Sequence, residues 1–192
     1  MEETVSTTAT GKNQAQLSDP PVAKIVFGDV RLSWLWLIIR LYVGYEWFMA
    51  GYSKLLNPVW FGDKAGVALT GFLKGALAKT AGEHPDVQGW YATFLQNSVM
   101  PNAAFWSRMV VVGEILVGAA LILGIFTGLA AFFGGFMNVN YLLAGTVSTN
   151  PLLFVLATWL VLAWKTAGWL GLDRWVLPRL GKFWSPGQVK SS

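Results

Sequence analysis

The 192-residue chain contains no cysteine and only one histidine. Without cysteine it can form no disulfide, persulfide, thiolate metal site or cysteine-ligated iron–sulfur cluster, so any redox role must borrow its electron carrier. His84 has Glu83 and Asp86 nearby but no second histidine to complete a typical metal site. It reads as part of a solvated turn, and no metal is expected. Charge is scarce too: Asp, Glu, Lys and Arg make up 12% of the residues, against about 25% in ordinary globular domains. The net charge is +4, but the basic residues form no soluble patch, which argues against a nucleic-acid partner. No short apolar core with a small-residue cleavage site precedes Leu32, so a cleaved signal peptide is not expected.

What the chain has in quantity is apolar side chains, 54% of all residues. They fall in runs long enough to cross the roughly 30 Å hydrocarbon core of a bilayer, for which about 20 helical residues suffice. The expected fold is all-α: an integral membrane four-helix bundle with spans at about 32–56, 103–124, 127–146 and 150–171. Residues 59–101 form an external connection carrying a short amphipathic helix around Phe72, Leu73, Ala76 and Leu77. Residues 1–30 are too polar to pack and are expected as a flexible tail, and 181–192 close the chain as a second tail. The link Ile125–Gly128 is so short that the third span must return antiparallel beside the second. Tryptophans such as Trp34, Trp36, Trp106, Trp164 and Trp169 lie near the ends of the runs, as interfacial belts require. The tails carry seven basic residues and the long connection with its flank carries four. That count places both termini in the cytoplasm and the protein in the plasma membrane.

Charges inside the runs stand out. Glu114 is the only charge between Met109 and Phe126, and an ionisable group at the bilayer midplane costs roughly 2.5–3.5 kcal/mol, so it should face the bundle interior and have a partner. Counted at about 1.5 Å per residue from Ser33 and Gly124, Arg40 lies about 11 Å deep and Glu114 about 15 Å, which makes them the expected pair. On the same count Glu46 and Arg108 come level, and Asn138 and Asn140 add amides to the layer. Arg40, Trp47 and Lys54 recur every seven residues on one face of the first span, with Gly44 and Gly51 between them leaving room for a helix or a flat ring. The competing reading is that these groups are interhelical hydrogen bonds and ion pairs that fix packing.

The segments LYVGYEWFMAGYSKLLNP (41–58), VMPNAAFWSRMVVVGEILVGAALILGIFTGLAA (99–131) and NVNYLLAG (138–145), with NPLL (150–153) and GLDR (171–174), resemble the DoxX/DoxD family of small membrane proteins. The likeness runs over about residues 31–180 and is strongest to the DoxD-like branch, the small subunit of thiosulfate:quinone oxidoreductase. The resemblance implies a membrane bundle that, with a second redox subunit, oxidises thiosulfate and passes electrons to membrane quinone as acceptor. It points to Arg40, Lys54, Glu114, Asn138 and Asn140 as site residues. On this expectation Glu114 relays a proton and Arg40 stabilises the developing anion. Trp47, Asn138 and Asn140 hold the quinone, while Lys54, Arg108 and Glu46 border the substrate path. The alternatives are a DoxX-type scaffold that docks a redox partner, and a conductor of protons or small anions.

Overall fold

The computed structural model describes residues 19–181, all helix, turn and loop, with no strand among them. The leading helix α1 (Pro21–Gly28) starts on a proline, whose fixed φ suits a first turn. It lies within the stretch expected as a flexible tail, yet it is anchored. The Val26 carbonyl accepts a hydrogen bond from Trp36 Nε1 at 3.0 Å, and the Phe27 ring stacks on Trp36 at 5.8 Å. Polar composition was a poor guide here because PVAKIVFG is locally apolar. Residues 1–18 and 182–192 of the two expected tails lie outside the described residues.

Helix α2 (Ser33–Leu55) fills the first apolar run. The 59–101 connection folds into α3 (Val67–Leu77) and α4 (Gly89–Phe94), which continues through a π turn at Leu95–Val99 and a 3-10 turn at Met100–Asn102 into α5 (Ala103–Leu123). Gly89–Leu123 is therefore one 35-residue helical rod, and among the described residues it is the one helix long and apolar enough to be a clear candidate membrane span. Gly124, with φ of 66°, ends α5 in the left-handed conformation that glycine adopts without strain. Helix α6 (Thr127–Leu143) follows, then α7 (Asn150–Leu162), α8 (Trp164–Ala167) and α9 (Asp173–Val176). The last apolar run is thus a 13-residue helix, a break at Ala163 and a single further turn, rather than one continuous rod.

Three glycines set how α2 meets α5. A Cβ on Gly44 would lie 3.0 Å from Leu121 and Ile122, one on Gly51 2.9 Å from Glu114 and Ile115, and one on Gly118 2.6 Å from the Phe48 Cα. The two backbones touch along their length, as small-residue stripes allow. At Gly44 and Gly51 the room expected for a helix or a flat ring is taken by the helix α5.

The buried interior has two parts. One joins Trp36, Val43, Trp47, Val117, Leu121, Ala131 and Leu160 across α2, α5, α6 and α7. The other joins Leu69, Leu73, Val87, Tyr91, Leu95 and Ala144, so that α3 and α4 form a packed cap over the end of α6. The cap is tied down by Lys79 Nζ, which donates to the Gly145 carbonyl at 2.5 Å, and by Ser107 Oγ, which donates to the Trp60 carbonyl at 2.5 Å.

Candidate functional site

Glu114 is 1% exposed, and its partner is Lys54. Lys54 Nζ lies 2.5 Å from Oε1 and 2.7 Å from Oε2, so one ammonium spans both carboxylate oxygens. The Tyr141 hydroxyl donates to Oε1 at 2.8 Å. Three helices, α2, α5 and α6, thus meet on one carboxylate. Charge-assisted hydrogen bonds of this length are roughly twice as strong as neutral ones, and they satisfy a group that could not otherwise be buried. Lys54 keeps 20% of its side chain accessible and faces the Trp60 ring at 5.3 Å, so the cluster reaches the cap through its lysine.

Arg40 is elsewhere. Its Nη2 donates to the Leu170 carbonyl at 3.1 Å, and the guanidinium lies in a slot against Gly124 and Gly171. The expected Arg40–Glu114 pair is not formed, and the glycine contacts give the reason: they slide α5 along α2 so that Arg40 comes level with Gly124, about two turns from the register that equal depth demands. The first turns of α2 run past the end of α5 and pack on α1 and α8, an overhang that counting inward from both ends ignores. Glu46 and Arg108 do not pair either. Arg108 is exposed and donates to the Gly62 carbonyl at 3.4 Å, and among the described residues Glu46 has no ion pair.

Trp47 is buried and stacks on Tyr141, with ring centroids 6.4 Å apart at 23°. Its Nε1 end reaches the other side of the same α6 face, 3.0 Å from where a Cβ on Gly134 would lie. Residues 134, 138 and 141 are spaced by four and three, so Asn138 lies between the two places where the Trp47 ring touches α6. Asn138 is fully buried, and neither its Nδ2 nor its Oδ1 has a hydrogen-bond partner, nor has Trp47 Nε1. Two donors and one acceptor are therefore orphaned side by side, one turn from Tyr141. Each such group costs about 1–3 kcal/mol when left dry, and Arg40 Nε and Nη1 and Thr127 Oγ1 are buried and unpaired in the same way. Asn140 points away: it accepts from the Tyr91 hydroxyl at 3.1 Å and donates to the Phe136 carbonyl at 2.8 Å, which joins α6 to the cap.

The residues missed in the sequence are Tyr141 and Asp173. Tyr141 stands in the NVNYLLAG stretch directly after Asn140, and its spacing of three from Asn138 could have singled it out. Asp173 is 2% exposed and accepts from Phe126 N at 2.6 Å and Thr127 N at 2.9 Å, capping α6 from 46 residues downstream. A surface groove of about 250 Å³ lies beside it, lined by Phe126, Leu129, Phe132, Val161, Trp164 and Leu177. The groove is about 20 Å along α6 from Tyr141 and takes no part in the Glu114 cluster.

An all-helical chain whose apolar, membrane-length rod carries a carboxylate sealed by a lysine and a tyrosine from neighbouring helices has the character of an integral membrane protein. The DoxX family model matches residues 35–146, more than half of the chain. The chain belongs to the DoxX family, whose members are membrane proteins. No curated protein and no solved structure matches it.

Proposed function

We propose that this DoxX protein is the quinone-facing membrane subunit of a redox complex, with α2, α5, α6 and the broken α7–α8 rod as four spans and both termini cytoplasmic. The observation that carries the reading is the row of orphaned polar atoms, Trp47 Nε1 and both amide atoms of Asn138, one turn from a buried Lys54–Glu114–Tyr141 cluster. A quinone carbonyl accepts hydrogen bonds, and the two orphaned N–H groups supply them. Developing charge on that oxygen is stabilised by donors already in place. Tyr141 stands between the site and Glu114 and delivers the proton, while Lys54, the accessible member, refills the cluster from the cap side. Arg40 lies apart from this cluster and donates to the Leu170 carbonyl, so the reading assigns it no step.

The electrons come from a donor on a second redox subunit. Taking the DoxD-like resemblance as guide, that donor is thiosulfate: two anions join through a new sulfur–sulfur bond to give tetrathionate and release two electrons, which with two protons convert quinone to quinol. Lys54, Lys64, Lys74 and the exposed Arg108 on the cap side would raise the local concentration of the anion. A non-enzymatic scaffold that docks a redox partner is the second reading, favoured by the glycine-to-backbone seal of α2 on α5, which serves packing alone.

The test is thiosulfate-dependent quinone reduction in membranes holding the protein with its native partners. Asn138→Leu and Glu114→Gln variants that insert normally lose about a hundredfold in rate, in line with the usual worth of positioned proton transfer. Full activity in both variants establishes the scaffold reading instead.

A further inference from the structure

The end of α6 away from the Glu114 cluster holds the groove of about 250 Å³, lined by Leu129 and Phe132 of α6, Val161 of α7, Trp164 of α8 and Leu177 beyond α9. It is a concavity where α7 breaks, and it is smaller than the roughly 300–1,000 Å³ of sites that enclose a whole small molecule. That shape suits a stretch of hydrocarbon chain whose remainder stays outside. The apolar walls favour the same occupant.

Charge at the mouth says what the remainder is. From Ile115 to the end of the chain the one acidic residue is Asp173, and it is 2% exposed, with both oxygens already accepting from Phe126 N and Thr127 N. The exposed charges on the described part of that stretch, Lys165, Arg174 and Arg179, are all positive. Lys165 Nζ stands 5.5 Å from the ring centroid of Trp164, which lines the groove. Arg174 directly follows Asp173, another lining residue, and Arg179 comes two residues after Leu177. On α1, which packs beside α8, Asp29 is held by Arg31 at 2.9 Å. Thr127 also lines the groove, and its buried Oγ1 has no hydrogen-bond partner, so an unspent donor stands in the wall.

We propose that the groove is a site for an anionic phospholipid. One acyl chain lies along Leu129, Phe132 and Val161, the Thr127 hydroxyl donates to an ester carbonyl, and the phosphate meets Lys165 and Arg174. One molecule supplies chain, ester and phosphate in that order, and arginine suits the phosphate because it can bind two of its oxygens at once. A zwitterionic lipid would fill the walls and leave the cations without a net anion. An acidic protein segment would answer the cations and leave the walls bare. The four-span proposal puts this end of α6 at the cytoplasmic surface, whose leaflet carries the anionic lipid. The quinone reading plays no part.

The test is a titration of the whole protein in detergent with phosphatidylglycerol or phosphatidylcholine of the same chains, the retained lipid being counted by native mass spectrometry. The first phosphatidylglycerol binds at least about tenfold more tightly than the first phosphatidylcholine, and the preference shrinks as salt rises. Lys165→Gln with Arg174→Gln lowers phosphatidylglycerol affinity by about tenfold to thirtyfold and leaves phosphatidylcholine unchanged. Leu129→Trp, at a position 49% exposed, fills the groove and weakens both lipids. Phe132→Trp is a second filling variant should the first fail to fold. Equal retention of the two lipids, full retention in the filling variants, or binding of glycerol phosphate as tight as that of the intact lipid overturns the proposal. Failure of the four-span proposal is read separately, because side-specific labelling of Thr8→Cys and Thr80→Cys does not depend on this lipid.

Discussion

Lys54 and Glu114, 60 residues apart in the chain, are joined by two hydrogen bonds of 2.5 and 2.7 Å, and Gly51, one turn before Lys54, lets the helices close until this reach is possible. The ammonium and the carboxylate are each other's only ionic partners among the described residues. Removing one leaves the other unmatched in a low-dielectric interior, while removing both removes the problem.

Lys54→Met is accordingly expected to destabilise the protein by about 3 kcal/mol, the low end of the range for buried pairs because the lysine stays partly accessible. Lys54→Met combined with Glu114→Leu recovers most of that loss. Arg40→Met combined with Glu114→Leu shows no such recovery: the two effects add to within about 0.5 kcal/mol, because the residues share no partner. Unfolding in detergent, followed by circular dichroism for the four variants, checks both cycles.

The helix contacts give a sharper contrast. Gly118→Ala places a methyl 2.6 Å from the Phe48 Cα, backbone that cannot move aside, and should cost about 1–3 kcal/mol. Gly71→Ala, in α3 with nothing within 4 Å of the new methyl, should be neutral or stabilise by up to about 1 kcal/mol through helix propensity. Thermal denaturation of the two variants side by side measures the difference.

Asp173 holds the N-terminus of α6 from a distant part of the chain. Asp173→Ala removes acceptors from Phe126 N and Thr127 N at once and should cost about 1–2 kcal/mol, as the loss of a good helix cap does. Hydrogen exchange at Phe126 and Thr127 should rise in the variant, while the cap around Tyr91 keeps its protection.

Topology is tested by cysteines at Thr8 and Thr80. With four spans and cytoplasmic termini, an impermeant thiol reagent labels them from opposite sides of the membrane. Labelling from one side removes the four-span proposal.

The sequence made the all-helical fold legible through its long apolar runs, and it singled out Glu114 because one carboxylate in an otherwise uncharged run of eighteen residues is hard to miss. It did not reveal which cation would meet Glu114. That depends on the sliding register of α5 against α2, and register is set by which glycines touch which backbone. Gly51 opposite Glu114 was the deciding contact, and nothing in either helix alone marks it. Arg40 misled for the same reason: it lies level with Gly124 because α2 overhangs α5 and rests on α1, a helix hidden in a stretch that composition assigned to a tail. Asp173 lay outside any apolar run and capped a helix 46 residues away, a contact with no local signature. Trp47 and Asn138 were legible as polar groups in apolar surroundings. That their polar atoms are left unpaired together is visible only once the Trp47 ring is seen to span Gly134 to Tyr141.

The orphaned amide carries the proposed function, and Asn138→Leu in the purified protein tests it most directly. Leucine removes two unsatisfied polar atoms at similar volume, so a residue with no ligand should gain or keep stability on this change. Where the amide holds a ligand carbonyl, the same change should also weaken binding of that ligand. The account predicts that a short-chain quinone analogue binds the wild-type protein in detergent or nanodiscs, and that Asn138→Leu binds it at least about tenfold more weakly while unfolding at the same or higher temperature. Equal binding of the analogue by the two proteins, or binding by neither, would contradict it.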